Sequence, residues 1–249
     1  FGPSAIAGAI NFVTDIEYRN SYSVSGFDEK NNSISANFTN ITENNWHLNF
    51  KGASNKSSTD SAIAAGTEDD GLKNYQLNLN AKKWINENLK FKSTIYSRKT
   101  EADYDDSATK EEDVTSNNEM YAIQTSLEQR TKNSENILTF HYHNYDRKYN
   151  IQGKRDIYYS ESLVTKGEKK LNYNNKLSFG YGGEYKYDWG HFDKKSWVEQ
   201  TRGHIKNFGI FANAGFKFND DQIFSIYSRS DDHNTTGENQ TYKVNFLQY

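Results

Sequence analysis

The chain has 249 residues and a formal charge of −3, with lysine and arginine scattered along it, so it carries no large positive field to attract nucleic acid. It has no cysteine, which excludes disulfides and thiolate metal sites. Only 34% of the residues are hydrophobic while 15% are aromatic, too little aliphatic material for an ordinary core and too many rings for a disordered chain.

In chain order, the first strong feature after the opening residues is alternation with period 2. Segments with approximate bounds 16–25, 32–40, 45–52, 73–83, 89–100 and 119–130 read as strands, followed by 137–145, 166–173, 176–188, 204–218, 222–230 and 241–249. In 166–173 the apolar alternation fails, and it is the weakest of the set. Elsewhere one face is apolar and the other polar. Leu77, Leu79, Phe91, Ile95, Phe208, Ile210, Phe216 and Phe218 fall on the first face, and Asn78, Lys92, Gln124, Asn213 and Lys217 on the second.

The connections alternate between short polar turns (40–44, 85–88, 131–136, 174–175, 219–221) and long stretches (53–72, 101–118, 146–165, 189–203, 231–240). Tight turns at one end and long loops at the other describe an up-and-down meander of the outer-membrane kind. A soluble β-sandwich would also show alternation. The one-sided loops, the strand number and the aromatic residues near strand ends favour the membrane. The expectation is an all-β fold, an antiparallel up-and-down transmembrane β-barrel, with the first apolar set facing lipid and the polar set facing the lumen.

The opening FGPSAIAGAINFVT, residues 1–14, resembles the closing segment of the plug domain of TonB-dependent outer-membrane receptors. Gly2, Ala5, Ile6, Gly8, Ile10, Asn11, Val13 and Thr14 fit that motif, and Ala7 stands where a second glycine is common. Small residues let such a segment pack closely against a barrel wall. The resemblance implies that 1–14 end a plug and that 15–249 form the N-terminal part of a larger plugged barrel, of which about twelve strands are present. It implies a fragment, lacking residues at both ends, whose first and last strands do not pair. It also implies a monomer in the outer membrane of a Gram-negative bacterium, with outer-membrane lipid and the TonB energy-transducing complex as partners.

Within that family the closest likeness is to the vitamin B12 (cobalamin) receptor branch, through TEDDG (67–71), YSRKTEADYDD (96–106) and RSDDHN (229–234). The implied activity is uptake of a scarce nutrient, cobalamin, without covalent chemistry. The alternatives are a siderophore or other iron-complex receptor of the same family, or an outer-membrane porin or barrel enzyme. The cobalamin likeness maps calcium-loop carboxylates onto Glu68, Asp70, Asp103 and Asp113, with Tyr104 as a substrate contact. Hard cations take oxygen ligands drawn from neighbouring loops, which acidic runs here can supply; the plain alternative is that these charges keep the loops solvated.

His141 and His143 share one strand face, opposite Leu138, Phe140 and Tyr142, and so point into the lumen. They can start a zinc site or simply fill the lumen as polar side chains. The tyrosine-rich stretches 157–159 and 181–190 can stack on a flat ligand. For Tyr185, Tyr187 and Trp189 the external aromatic girdle is the preferred reading. No nucleophile–base set and no phosphate loop occurs, so no enzyme is expected.

Overall fold

A computed structural model of the chain describes residues 20–26, 31–60, 69–106, 111–151, 153–194, 199–219 and 221–248. The plug-like motif residues Gly2, Ala5, Gly8, Ile10, Asn11 and Thr14 lie outside this set, as does Glu68.

The described residues form a single antiparallel sheet of twelve strands. In order these are β1 (Ser21–Gly26), β2 (Asn32–Ile41), β3 (Trp46–Asp60), β4 (Asp69–Trp84), β5 (Leu89–Asp106) and β6 (Glu111–Arg130). Then follow β7 (Ser134–Ile151), β8 (Lys154–Asn172), β9 (Leu177–Lys194), β10 (Glu199–Lys217), β11 (Gln222–His233) and β12 (Gly237–Gln248). Each strand pairs only with its neighbours in sequence, and β1 and β12 are the two edges.

The register shows which side chains share a face. Phe50 pairs Leu79, Leu79 pairs Ile95, Ile95 pairs Ile123, and Leu127 pairs Leu138. On the far half Phe179 pairs Ala214, and Phe216 pairs Phe224, which pairs Phe246. This apolar face is exposed: Ile210 is 54% accessible and Phe208 53%. The opposite face buries polar groups instead. Asn49, Asn74, Lys90, Glu128, Asn207, Arg229 and Asp231 are all buried, and Val114 is the buried hydrophobic among the described residues.

A single sheet has no second layer to cover these groups. Side chains converge on the concave side of a curved sheet and splay apart on the convex side, so the polar face is the inner one. A polar interior under an apolar exterior is the distribution of a membrane barrel, since lipid solvates the outside. The face assignments expected from the sequence hold: Leu77, Leu79, Phe91 and Ile95 lie outside with Phe208, Ile210, Phe216 and Phe218, and Asn78, Lys92, Gln124, Asn213 and Lys217 inside.

The apolar band has a measurable height. From Phe208 to Phe218 the chain advances about 33 Å, or about 25 Å at the usual barrel tilt, the thickness of the outward apolar band of such proteins. Trp46 packs edge-on against Phe91 near the turn end of the band, ring centroids 5.9 Å apart. At the other end the outer face turns charged, with Lys99 bonded to Glu101 at 2.8 Å. That hydrogen bond holds the Glu101 carboxyl below its ordinary range. Tyr187 and Trp189 lie on the outer face at this level, opposite Leu163 and Glu161, as a girdle requires.

The turns at one end are tight and have a local cause. Asn86 Oδ1 accepts hydrogen bonds from the backbone N–H groups of Asn88 and Leu89, each at 2.9 Å. Asn174 Oδ1 does the same for Lys176 and Leu177, each at 2.8 Å. Asparagine folds the chain back in this way because its short side chain imitates a backbone carbonyl.

The long loops expected at the other end are corrected by the structure. The stretches 101–118, 146–165 and 189–203 are mostly strand, and β7 joins β8 through residues 152 and 153 alone. Gly153 has φ +70°, the left-handed conformation a two-residue hairpin needs. β6 has 20 residues, about twice the 9–11 that cross a membrane. These strands therefore continue past the apolar band as paired hairpins. β8, the weakest strand in the sequence, runs from Lys154 to Asn172.

Candidate functional site

Of the expected calcium ligands, the two whose side chains are described, Asp70 and Asp103, do not converge. Asp70 lies at the start of β4 and Asp103 near the end of β5, where Asp103 is the register partner of Gly71. Alternation then puts Asp70 on the inner face and Asp103 on the outer. Tyr104 and Asp113 lie within β5 and β6, not in loops; their side chains, like all of Glu68, are outside the described residues.

His141 and His143 do share the inner face, with ring centroids 5.3 Å apart. Among the described residues no group of three or more His, Cys, Asp or Glu is placed to hold a metal ion.

The inner wall carries the organised chemistry. Near the turn end it is a lattice of ion pairs within and between strands. Glu128 on β6 takes Lys90 at 2.7 Å and Lys92 at 2.6 Å, both from β5. Glu135 on β7 takes Arg130 at 2.6 Å, and Glu168 on β8 takes Lys166 at 2.8 Å. Further along, Arg229 on β11 binds Asp231 through two nitrogens, each at 2.7 Å, and Asn207 donates to Asp231 at 2.9 Å. Such pairing lets a polar wall crowd charges together without leaving them unpartnered.

Past the apolar band the inner wall changes character. A small polar cavity of about 160 Å³ is lined by Arg98, Thr100, Asn118, Met120 and Tyr145. Arg98 is fixed there by Asn74 at 3.0 Å and Thr100 at 3.2 Å, and Tyr145 donates to Asn118 at 2.8 Å. Tyr145 also borders a larger, mostly apolar hollow of about 670 Å³, whose lining includes Tyr158, Phe192 and Ile205. Tyr158 and Phe192 stack at 4.4 Å with planes 25° apart. The volume is in the range of small-molecule sites, which pair apolar walls with a few placed polar groups.

The stretch 157–159, expected from the sequence to be able to stack on a flat ligand, supplies Tyr158 to this group, while Phe192 and Ile205 were not singled out. Tyr158 and Tyr159 are adjacent, so they must point to opposite faces, and only one of them can belong to the girdle. Tyr159 goes outward against Trp189, ring centroids 5.3 Å apart.

No protein-family profile and no curated protein sequence matches the chain. Solved structures do. The outer membrane transporter YddB from Escherichia coli superposes with a TM-score of 0.70 at 11% identity, over 87% of this chain and 35% of that one. The siderophore receptor PirA from Acinetobacter baumannii gives 0.66 at 15% identity, over 92% of this chain and 40% of that one. A mutant of the ferric enterobactin receptor PfeA from Pseudomonas aeruginosa gives 0.67 at 12% identity, over 91% and 40%. At such identities the likeness is one of fold, and the fold is that of an outer-membrane receptor barrel wall. The chain spans less than half the length of these neighbours.

Proposed function

We propose that this chain forms wall strands of an energy-coupled outer-membrane receptor that captures a scarce nutrient and admits it through the barrel lumen. The observation that carries this reading is the inside-out sheet, apolar and exposed outside, polar and buried inside, with cavities on the inner wall beyond the apolar band. A large, dilute solute gains little from passive diffusion, so capture followed by TonB-driven passage is the mechanism this architecture suits. The chain's own residues would bind and orient the solute, and no covalent step is involved.

For the ligand, the fold neighbours named as siderophore receptors support an iron-complex receptor. Cobalamin remains the reading suggested by TEDDG, YSRKTEADYDD and RSDDHN. The third of these stretches loses weight, because Arg229 and Asp231 serve the wall itself.

The test is uptake of radiolabelled cobalamin and of a ferric siderophore by Gram-negative cells expressing the protein, with and without a functional TonB system. Uptake that requires TonB supports the reading, and the substrate taken up decides between the ligands. Uptake that persists without TonB points to a porin, and absence of the protein from the outer-membrane fraction removes the proposal.

A further inference from the structure

The inner face of β9 and β10 carries six glycines: Gly180, Gly182 and Gly190 on one strand, Gly203, Gly209 and Gly215 on the other. At four of them a neighbouring side chain takes the space of a Cβ: Asn213 at Gly180, Phe211 at Gly182, Arg229 at Gly209 and Ser178 at Gly215. Gly190 and Gly203, which are direct register partners, are different. Nothing lies within 4 Å of the Cβ position of Gly203, and at Gly190 the contact is the Tyr159 backbone oxygen at 3.7 Å.

This bare, paired backbone is the floor of the apolar hollow. The register sets its walls. One step away from the apolar band, Tyr158, Phe192 and Thr201 stand side by side on β8, β9 and β10. One step toward the band, Asp188 stands beside Ile205. Ile205 is 42% accessible although this face of the sheet is mostly polar. A wall in contact with water does not ordinarily leave an apolar hollow uncovered.

The charge of the lining is negative. Asp188 is its carboxylate, and among the described residues no lysine or arginine lines it. His191 and His204 border it, but alternation sends their side chains to the outer face. Arg147 lies on the β7 side of Tyr158, away from the hollow, its guanidinium 5.8 Å from the centre of that ring. Asp188 is held by Lys186, two residues along the same strand, at 2.8 Å, and both side chains are partly accessible. Such a pair is weak and open to exchange. The rings act in the same direction as the carboxylate, because the face of an aromatic ring attracts cations.

We infer that this hollow binds a flat organic cation, a planar ring bearing a positive nitrogen. The ring lies on the paired peptide planes of Gly190 and Gly203, between Phe192 and Ile205, and the nitrogen faces Asp188 in competition with Lys186. A flat open floor, aromatic walls and a carboxylate as the charge of the lining together fit that chemistry. The inference deepens the receptor reading above and rests on it, because it takes the concave face as the lumenal one.

The test is equilibrium dialysis of N-methylquinolinium against the protein in detergent micelles, with empty micelles as the blank. In mildly alkaline buffer quinoline serves as the uncharged ring, quinaldate as the anionic ring and tetramethylammonium as a cation without a ring. N-methylquinolinium is expected to bind at least about ten-fold more tightly than any of the three. Asp188→Asn is expected to bring it down to the affinity of quinoline or below. Lys186→Gln, which removes the competitor, is expected to tighten N-methylquinolinium by about two- to five-fold, the worth of an exposed ion pair, and to leave quinoline unaffected. Gly203→Val, whose β-branched side chain suits a strand, fills the floor and is expected to abolish binding of both rings while the circular dichroism spectrum stays unchanged. N-methylquinolinium binding that is absent, no tighter than that of quinoline, or unchanged in Asp188→Asn overturns the inference. TonB-dependent uptake with no N-methylquinolinium binding removes only the hollow's assignment. N-methylquinolinium binding without TonB-dependent uptake removes only the transport reading.

Discussion

Arg229 on β11 reaches over β10 to Glu184 on β9, its Nη2 2.9 Å from Oε1, although these two strands do not pair with each other. The bridge passes over Gly209, where a Cβ would collide with Arg229 and lie 2.6 Å from an Asp231 carboxylate oxygen. One missing side chain thus lets three strands share one ion-pair network.

This sets the first prediction. Arg229→Ala leaves Asp231, which is buried, and Glu184 without their cation, and is expected to cost about 3–5 kcal/mol. Gly209→Val, which displaces the guanidinium without removing it, is expected to cost about 1–3 kcal/mol. Urea unfolding in lipid vesicles measures both. Equal stability of Arg229→Ala and the parent protein would show that the network is not formed.

The second prediction concerns the outer face. Ile210→Arg or Leu79→Arg places a charge in lipid and is expected to destabilise by about 2–4 kcal/mol near the membrane midplane. Gln124→Arg, on the inner face, is expected to be close to neutral. The same unfolding assay distinguishes them, and a ranking in the opposite order would reverse the assignment of faces.

The third prediction uses two tryptophans that point outward among the described residues, Trp46 near the turn end and Trp189 near the far end of the apolar band. Aromatic rings at both boundaries belong at headgroup level. In single-tryptophan variants retaining Trp46 or Trp189, quenching is expected to be strongest with lipids labelled near the headgroup and weakest with lipids labelled at the chain end. Deep quenching of either would shift the band along the strands.

The fourth prediction concerns calcium. Asp70 and Asp103 lie on opposite faces, so one ion cannot use both while β4 and β5 stay paired. In a calcium titration, Asp70→Asn combined with Asp103→Asn is therefore expected to lose no more affinity than the worse single variant. A synergistic loss would show that these strand ends separate and bring both carboxylates to one ion.

What the sequence revealed follows from where lipid is. Along Leu77–Leu79 or Phe208–Phe218 one face meets lipid and the other the lumen, so period 2 is written in the residues. Beyond the band both faces meet water. Asp146–Asn150 and Lys154–Ser160 therefore lost the alternation and read as loop, although they are strand. The opposite facing of Asp70 and Asp103 was hidden for a related reason. Closeness of acidic residues in a supposed loop says nothing of direction, whereas in a strand adjacent positions face apart. The Arg229–Glu184 contact needs the register of three strands, which no local pattern supplies.

The neighbour-to-neighbour order of all twelve strands has a consequence for how such a wall is made and altered. Every pairing closes a loop no longer than one hairpin, so little chain entropy is spent on each closure. Construction can proceed like a zipper, one hairpin added to the last. The same arrangement makes the hairpin a unit of change. Duplicating or deleting one would widen or narrow the circumference and leave the remaining seams in register. A length of wall like this one behaves as a run of interchangeable staves, whose number is free to vary while the joinery between them stays the same.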